Sequence, residues 1–178
     1  MIETERLILR GWRAEDAEAH HAMCADPALI RTLGGPPSPS DSRAVVERQN
    51  RLLRDTGSCF WALKERATGR FVGWCGVKPG AAGTPIAADR EIGWSLAVGY
   101  WGRGYAREAA VASLAWAWSE LRLPGVAAIT IPANVRSRGL MTRLGLSRCP
   151  DEDFDHPDLA PGDPLRRHVV YRIARPVR

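Results

Sequence analysis

Residues 91–108, with the sequence EIGWSLAVGYWGRGYARE, constrain the fold of this chain more than any other segment. An alternating apolar stretch predicts a strand, which runs into a glycine-punctuated turn and then into an amphipathic helix. Gly102 and Gly104 lack a Cβ, so the backbone of the turn can approach a ligand closely. The helix start offers unpaired N–H groups, and Arg103 and Arg107 add positive charge. The segment therefore predicts a site for an anion, with a diphosphate as the favoured ligand.

Two familiar phosphate-binding motifs do not fit this turn. The chain contains no G-x-x-x-x-G-K-[ST] string, which excludes a P-loop. A dinucleotide fingerprint needs a third small residue where Arg107 stands, and an acidic residue about 20 positions further on, where LRLP at 121–124 intervenes. Residues 101–106, WGRGYA, instead resemble the acyl-CoA loop [QR]-x-x-G-x-[GA] of the GNAT N-acetyltransferases, with Trp101 in place of the first residue.

Further segments resemble the same family in the same order. Residues 126–131 predict a buried, β-branched strand, and they lead into PANVRS at 132–137 and a short helix that ends at the LGL of 144–146. That order resembles the second half of the GNAT core. Three segments resemble its RimJ/RimL-like branch: ETERLILR at 3–10, EIGW at 91–94 and YWGRGYA at 100–106. The resemblance extends from residue 3 to about residue 174.

Periodicity predicts an α/β chain of mixed α+β character. Strands are expected at about 6–10, 58–64, 70–78, 90–98, 126–131, 146–150 and 167–174. Helices are expected at about 14–25, after a cap at Ser40 or Ser42, at 104–121 and at 135–144. Pro27 and the GGPPSP cluster at 34–39 are expected to break the chain. In the long helix, Val111, Leu114, Trp118 and Leu121 are expected to share one face.

The family resemblance implies how these elements assemble. It implies a GNAT fold, with a central, twisted, mixed and mostly antiparallel sheet of six to seven strands flanked by about four helices. Two parallel strands, at 90–98 and 126–131, are expected to splay apart and admit the pantetheine arm of coenzyme A. The length of 178 residues predicts one domain, 1–178, with a substantial core.

Composition favours a cytoplasmic protein and sets few further limits. The chain has no apolar run long enough to span a bilayer, and its start lacks the pattern of a signal peptide. Its four scattered cysteines form no Cys-x-x-Cys pair, so we expect reduced thiols and no metal. The net charge of +5 comes almost entirely from arginine, which suits phosphate ligands. No basic run points to nucleic acid as a partner.

The resemblance also implies residues that hold the cofactor. Leu96 and Val98 are expected to give main-chain contacts to the pantetheine arm, and the side-chain amide of Asn134 to bond it. A role as a simple helix cap is the alternative for Asn134, and the two roles are compatible. The diphosphate is assigned to the amides of five successive residues: Arg103, Gly104, Tyr105, Ala106 and Arg107.

Acyl transfer to an amine requires groups that move protons and stabilise charge. An amine with a pKa of about 10.4 is protonated at neutral pH, so a base must take its proton. The resemblance implies that the N–H of Val98 stabilises the oxyanion and that the Ser137 hydroxyl lies near the CoA sulfur, as acid or orienting group. A bond from Ser137 to local backbone is the alternative. Glu91 is a candidate base acting through water, with a salt bridge at the strand edge as the alternative.

The loop 151–164 and the strand after it offer polar residues to the acceptor side of the cleft. A histidine side chain has an ordinary pKa of about 6.5, so His156 and His168 are candidates to accept a proton. Asp153 and Asp155 can bind a cationic amine. For each of these residues, a solvated acidic loop with a histidine at the strand end is the alternative. No cysteine stands in a nucleophile motif, so direct attack in a ternary complex is expected.

The sequence therefore predicts an acetyl-CoA-dependent N-acetyltransferase whose acceptor is a protein N-terminus or a small-molecule amine. Three alternatives stay open: a donor with another acyl chain, a non-catalytic acyl-CoA-binding module, and a basic protein associated with RNA or the ribosome. The acceptor, the acyl chain, the base and the oligomeric state also stay open. A homodimer is compatible with the resemblance, because dimers are common among such proteins.

Overall fold

The computed structural model of the protein describes residues 1–177, which form nine strands and five helices. The strands are β1 (Ile2–Glu3), β2 (Leu7–Arg10), β3 (Phe60–Glu65), β4 (Phe71–Pro79), β5 (Arg90–Leu96), β6 (Gly125–Thr130), β7 (Ser147–Arg148), β8 (Phe154–Asp155) and β9 (Arg167–Ala174). The helices are α1 (Asp16–Cys24), α2 (Pro27–Leu33), α3 (Pro39–Thr56), α4 (Tyr105–Ser119) and α5 (Val135–Arg143). Short 3-10 turns lie at Val98–Tyr100 and Pro150–Glu152.

The strands form one mixed sheet in the order β1-β2-β3-β4-β5-β6-β9-β7, with β8 paired to β9. Every neighbouring pair is antiparallel except β5 and β6, which are parallel and in register at one residue pair, Glu91 with Ala127. By contrast, β4 and β5 stay paired from Gly73–Leu96 to Pro79–Arg90. The parallel strands therefore part soon after β5 begins. The predicted mixed, mostly antiparallel sheet with one parallel pair is confirmed.

The sheet separates two layers of side chains. On one face, Trp61, Val77 and Ile92 pack with Leu114 of α4 in the main core. We call this the α4 face. On the opposite face, Ala62 packs with residues of the first and third helices, which places α1 and α3 there. We call it the α1–α3 face.

The sequence underestimated the number of elements. Two strands were not predicted, and both, β1 and β8, have only two residues. The additional helix is α2, which begins at Pro27, where a break was expected. Proline is favoured in the first turn of a helix, and here the Asp26 side chain accepts from the Ala28 N–H to cap the start. The predicted break is present, since α1 ends at Cys24, but Pro27 also starts a helix that the sequence did not predict.

The start of α3 also differs from the prediction. Its cap is Ser38, not Ser40 or Ser42, and a capping box joins Ser38 and Asp41 through reciprocal side-chain to backbone bonds. Ser42 is instead fully buried, and its hydroxyl lies 3.1 Å from His20 Nδ1 of α1.

The buried face of α4 consists largely of small residues. Val111, expected on that face, is 45% exposed, so this part of the prediction was wrong. The buried positions are Tyr105, Ala109, Ala110, Ser113, Leu114 and Ala117. Val111 follows Ala109 by two positions, which places it about 200° away around the helix. Small side chains let α4 lie close to β4 and β5. Within residues 1–177, no helix combines the length and apolarity needed to cross a membrane.

Candidate functional site

The turn between β5 and α4 has the backbone that its glycines predicted. Gly102 and Gly104 have φ values of 74° and 80°, in the left-handed region that side chains disfavour. Gly104 is the N-cap of α4, and no side chain caps the helix there. The first amides of α4 therefore carry no intrahelical or capping bond and are available to an anion.

One arginine from the other edge of the sheet braces this turn. Arg6 lies between β1 and β2, and its Nη1 donates to the carbonyl of Arg103 at 3.0 Å. Its Nε and Nη2 each lie 2.6 Å from Glu108 Oε2 in α4. The guanidinium also stacks over the Tyr105 ring, 4.4 Å from its centre. The turn is thus held by contacts with distant sequence.

Along β5, backbone groups alternate between its two neighbours. The Ala97 N–H donates to Val72 O at 2.9 Å, which directs that residue toward β4. The N–H and C=O of the adjacent Leu96 therefore face the gap between the parallel strands. The indole Nε1 of Trp101 donates to Leu96 O at 2.7 Å, so this carbonyl already has a donor. Val98 begins a 3-10 turn, and the first N–H of such a turn has no partner inside it.

Across the gap, Asn134 caps α5. Its Oδ1 accepts from the Ser137 N–H at 3.2 Å, and its Nδ2 donates to Thr130 Oγ1 at 3.2 Å. The cap is therefore present, and one amide hydrogen of Asn134 stays free for a ligand. Within residues 1–177, the Ser137 hydroxyl makes no hydrogen bond to nearby backbone, which was the alternative to its proposed role. The Ser137 hydrogen bond in this region comes from its backbone N–H. Arg136 of α5 lies over the Trp101 ring at 4.5 Å, so the two sides of the gap touch there.

Glu91 lies at the closed end of the gap and is engaged in an ion pair. Lys78 stands opposite it in β4 and donates to Glu91 Oε2 at 2.5 Å. The salt bridge considered as an alternative is thus present. Because Ile92 points to the α4 face, Glu91 lies on the α1–α3 face. There Lys78 Nζ lies 5.1 Å from the centre of the Phe60 ring.

His168, in β9, shares that face with Glu91. Val169 and Tyr171 belong to the core under α4, so His168 points the other way. Its ring lies 5.1 Å from that of His156 and 5.6 Å from that of Phe154. Its Nδ1 lies 3.1 Å from the carbonyl of Arg166, and a carbonyl only accepts, so Nδ1 carries the proton and Nε2 is left as an acceptor. Burial lowers the pKa of His168, so the ring is neutral at neutral pH.

The two aspartates predicted for the acceptor side have arginine partners. Asp153 lies 2.5 Å from Arg148 Nη2. Asp155 lies 3.5 Å from both Arg166 Nε and Arg167 Nη1. The charges of Asp153 and Asp155 are therefore balanced by arginines within the protein. His156 and His168 contribute imidazole rings to the same side of the cleft.

The cysteines have the surroundings of structural thiols. Cys24, Cys59 and Cys75 are buried, and burial raises the pKa of Cys59 and of Cys75 to about 12. Such thiols carry almost no thiolate at neutral pH. Cys149 is half-buried. In the described part of the chain, no group of three His, Cys, Asp or Glu side chains is arranged to hold a metal ion.

Sequence reasoning missed two residues that shape the site, Arg6 and Lys78. Arg6 contributed only to a family resemblance, and Lys78 was assigned no role from the sequence. Each partner lies in another element, Glu108 for Arg6 and Glu91 for Lys78. For Lys78, adjacent antiparallel strands could have suggested the pair once their register was known. For Arg6, no local signal points to a partner 102 positions away.

Comparisons with known proteins agree with this geometry. A family model described as an acetyltransferase (GNAT) domain matches residues 6–147. The FsC-acetyl coenzyme A-N(2)-transacetylase of Aspergillus fumigatus is 34% identical over 179 residues, covering 98% of this chain and 76% of that protein. The crystal structure of an acetyltransferase from Agrobacterium tumefaciens superposes with a TM-score of 0.78 at 31% identity, covering 98% and 94% of the two chains.

A further solved structure shares the fold at low identity. It is RimL, named as a ribosomal L7/L12 alpha-N-protein acetyltransferase in complex with coenzyme A, with a TM-score of 0.76, 16% identity and coverage of 96% and 95%. The family model spans most of this chain, and the Aspergillus protein and the Agrobacterium structure match nearly all of it. The chain therefore belongs to the GNAT family of acetyl-CoA-dependent N-acetyltransferases.

Proposed function

We propose that this protein transfers an acetyl group from acetyl-CoA to a primary amine by direct attack in a ternary complex. The observation that carries the proposal is the parting of β5 and β6 after one residue pair, directly beside an uncapped helix start with left-handed glycines. A gap lined by free backbone groups suits an amide-bearing arm. The adjacent helix start suits the diphosphate at the end of that arm.

The cofactor contacts follow from this arrangement. The diphosphate binds the amides of residues 103–107. The arm lies along β5, where the N–H of Leu96 is the group that stays open because Trp101 occupies the carbonyl. The free amide hydrogen of Asn134 bonds the arm from the other side. The N–H of Val98 stabilises the oxyanion, since a donor held by the backbone is already oriented when the charge develops.

The chemical step assigns a proton to each group. The acceptor first loses one proton to solvent, the resulting free amine attacks the thioester carbonyl, and Nε2 of His168 takes the second proton from the nitrogen, directly or through water. The C–S bond then breaks, and the Ser137 hydroxyl donates to the departing sulfur, recovering its proton from solvent. Glu91, held by Lys78, orients water or the acceptor and is not the base in this scheme. His168 is preferred as base because burial keeps it neutral.

The acceptor is a primary amine that reaches the α1–α3 face near His168. His156 and the loop that carries Asp153 and Asp155 border this side, with the two aspartates oriented by their arginines. Both acceptor classes remain in the proposal, since RimL is named for a ribosomal protein and the Aspergillus protein for an N(2) amine. We further propose that residues 1–178 act as one domain in the cytoplasm, as a homodimer. Four unpaired cysteines suit a reducing compartment.

Ligand binding and turnover test the proposal separately. Acetyl-CoA, CoA and succinyl-CoA are each added in a thermal shift assay, and a binding ligand raises the melting temperature by mass action. Thiol release with a panel of amines, including N-terminal peptides and polyamines, then measures transfer. Stabilisation by acetyl-CoA with turnover of at least one amine supports the enzyme.

The other outcomes favour the alternatives. Stronger stabilisation and turnover with succinyl-CoA would indicate a different acyl donor. Stabilisation without turnover on any amine would favour an acyl-CoA-binding module. A protein that no CoA derivative stabilises would contradict the whole proposal.

A further inference from the structure

We propose that Arg6 is a positioning residue of the cofactor site, which orients the diphosphate-binding turn through the carbonyl of Arg103. The inference rests on the proposed cofactor role of that turn. Arg6 acts through the Arg103 carbonyl that it holds and need not touch the ligand.

The contacts of Arg6 connect its own segment, between β1 and β2, with the turn and with α4. Nη1 donates to Arg103 O at 3.0 Å, within the turn. Nε and Nη2 hold the Glu108 carboxylate, one helical turn into α4. The guanidinium carbon also lies over the Tyr105 ring, 4.4 Å from its centre. One planar group therefore fixes the position of the turn relative to the helix that follows it.

The geometry of the peptide bond transmits this contact to the ligand side. In a trans peptide the C=O of one residue and the N–H of the next point in opposite directions. When Arg6 holds the carbonyl of Arg103, the N–H of Gly104 is directed away from the guanidinium. Gly104 has φ +80°, and glycine explores many backbone conformations at little cost, so this orientation needs an external restraint. Arg6 supplies it.

The anchor of Arg6 is itself held firmly. Glu108 Oε1 accepts from Thr4 Oγ1 at 2.6 Å and from the Arg6 N–H at 2.9 Å. Burial works against ionisation of Glu108, but the hydrogen bonds from Thr4 and Arg6 outweigh it and keep its pKa below the usual value. The carboxylate is thus charged at neutral pH and keeps the guanidinium in place. A lysine could pair with Glu108, but its single ammonium cannot also stack on Tyr105 and reach Arg103 in the same geometry.

The test compares two acetyl donors in the Arg6→Lys variant. Acetyl-CoA carries the diphosphate, and S-acetylpantetheine has the same thioester arm without it. We expect Arg6→Lys to lower kcat/KM for acetyl-CoA by about tenfold, the order expected for losing one hydrogen bond to a charged donor. The value for S-acetylpantetheine should stay unchanged, as should KM for the amine. Arg66→Lys is the matched control, since Arg66 Nη1 donates to Thr4 O at 2.8 Å in the same segment without reaching the turn.

Each outcome decides the matter. An equal fall for both donors, in Arg6→Lys and in a second variant, Arg6→Gln, would assign Arg6 a purely structural role and overturn the inference while the proposed reaction stands. Unchanged kinetics with both donors would overturn it as well. If the wild-type protein had the same kcat/KM for S-acetylpantetheine as for acetyl-CoA, the turn would not be a diphosphate site. The inference about Arg6 would then be wrong too. If the wild-type protein turned over neither donor, the proposed reaction would be contradicted, together with the inference that rests on it.

Discussion

His168 is the residue whose protonation state can be read most directly from its surroundings. Its Nδ1–H is bound by the Arg166 carbonyl, and its pKa is lowered by burial. A proton on Nε2 would remove the lone pair that the proposed reaction needs. The contribution of His168 to the rate is therefore complete above the ordinary histidine pKa of about 6.5 and falls as the pH drops through the lowered value.

His168→Gln is expected to reduce kcat by about 10²–10⁴-fold, because the amide cannot accept the amine proton. In the wild type, the acid limb of the pH–rate profile should lie below pH ~6.5. Thiol release across a pH series, at saturating acetyl-CoA, measures both quantities. His21→Gln is the control, since His21 Nδ1 lies 3.0 Å from Pro37 O and has no part in the reaction. A profile identical in wild type and His168→Gln would contradict the assignment.

Gly104 is the residue at which one added methyl group should affect both the stability of the protein and its binding of acetyl-CoA. Gly104→Ala places a Cβ at φ +80°, with Arg6 Nη2 3.4 Å away. We expect a loss of about 1 kcal/mol in the free energy of unfolding, and weaker binding of acetyl-CoA because the strained turn reorients its amides. Urea denaturation and calorimetry measure the two effects. Gly99→Ala, with open space around the new Cβ, should leave stability nearly unchanged.

Among the helices and strands, the sequence predicted those that are long enough to show a periodic pattern. Strands β4 and β5 extend over nine and seven residues, long enough to be recognised in the sequence, and both were found. A two-residue strand such as β8 shows no period, and its pairing with β9 is decided by tertiary contacts. The start of α2 was missed because Pro27 has two opposite meanings, a break within a helix and a favoured first residue. Only the Asp26 cap distinguishes them.

The start of α3 gives a test at this scale. Ser38→Ala removes the hydroxyl that accepts from the Asp41 N–H and should lower the free energy of unfolding by about 1 kcal/mol. Ser40→Ala, at one of the two positions that the sequence offered as cap, should cost less, because its hydroxyl contacts only that of Ser38, at 2.7 Å. Chemical denaturation of both variants measures the difference. Equal losses would show that the capping box does not fix this helix start.

The candidate site was predictable in its backbone and less so in its side chains. The glycines of the turn and the PANVRS start of α5 are local features, and the structure has them in the expected conformations. The ion pair of Lys78 with Glu91 depends on strand register, and that of Arg6 with Glu108 on how α4 packs. Neither is encoded by neighbouring residues. The roles assigned to Ser137 and Val98 stay predictions.

For the whole molecule, thiol accessibility reports on global unfolding. Three cysteines are buried and one, Cys149, is half-buried. In native protein we expect one thiol to react quickly with a thiol reagent, and the other three to react only at the rate of unfolding. Cys149→Ser should abolish the fast phase without affecting the slow one. Rapid labelling of Cys59 or Cys75 in the folded protein would contradict the packing described above.

The single registered pair between β5 and β6 has a mechanical consequence for the molecule. Strands β1 to β5 form one hydrogen-bonded half of the sheet, and β6 to β9 form the other. The two halves meet at a seam between β5 and β6, where only Glu91 and Ala127 are in register. A ligand that makes hydrogen bonds to both halves would connect them. Stiffness across the middle of the protein would then rise and fall with each turnover, and amide exchange near the seam would follow cofactor occupancy.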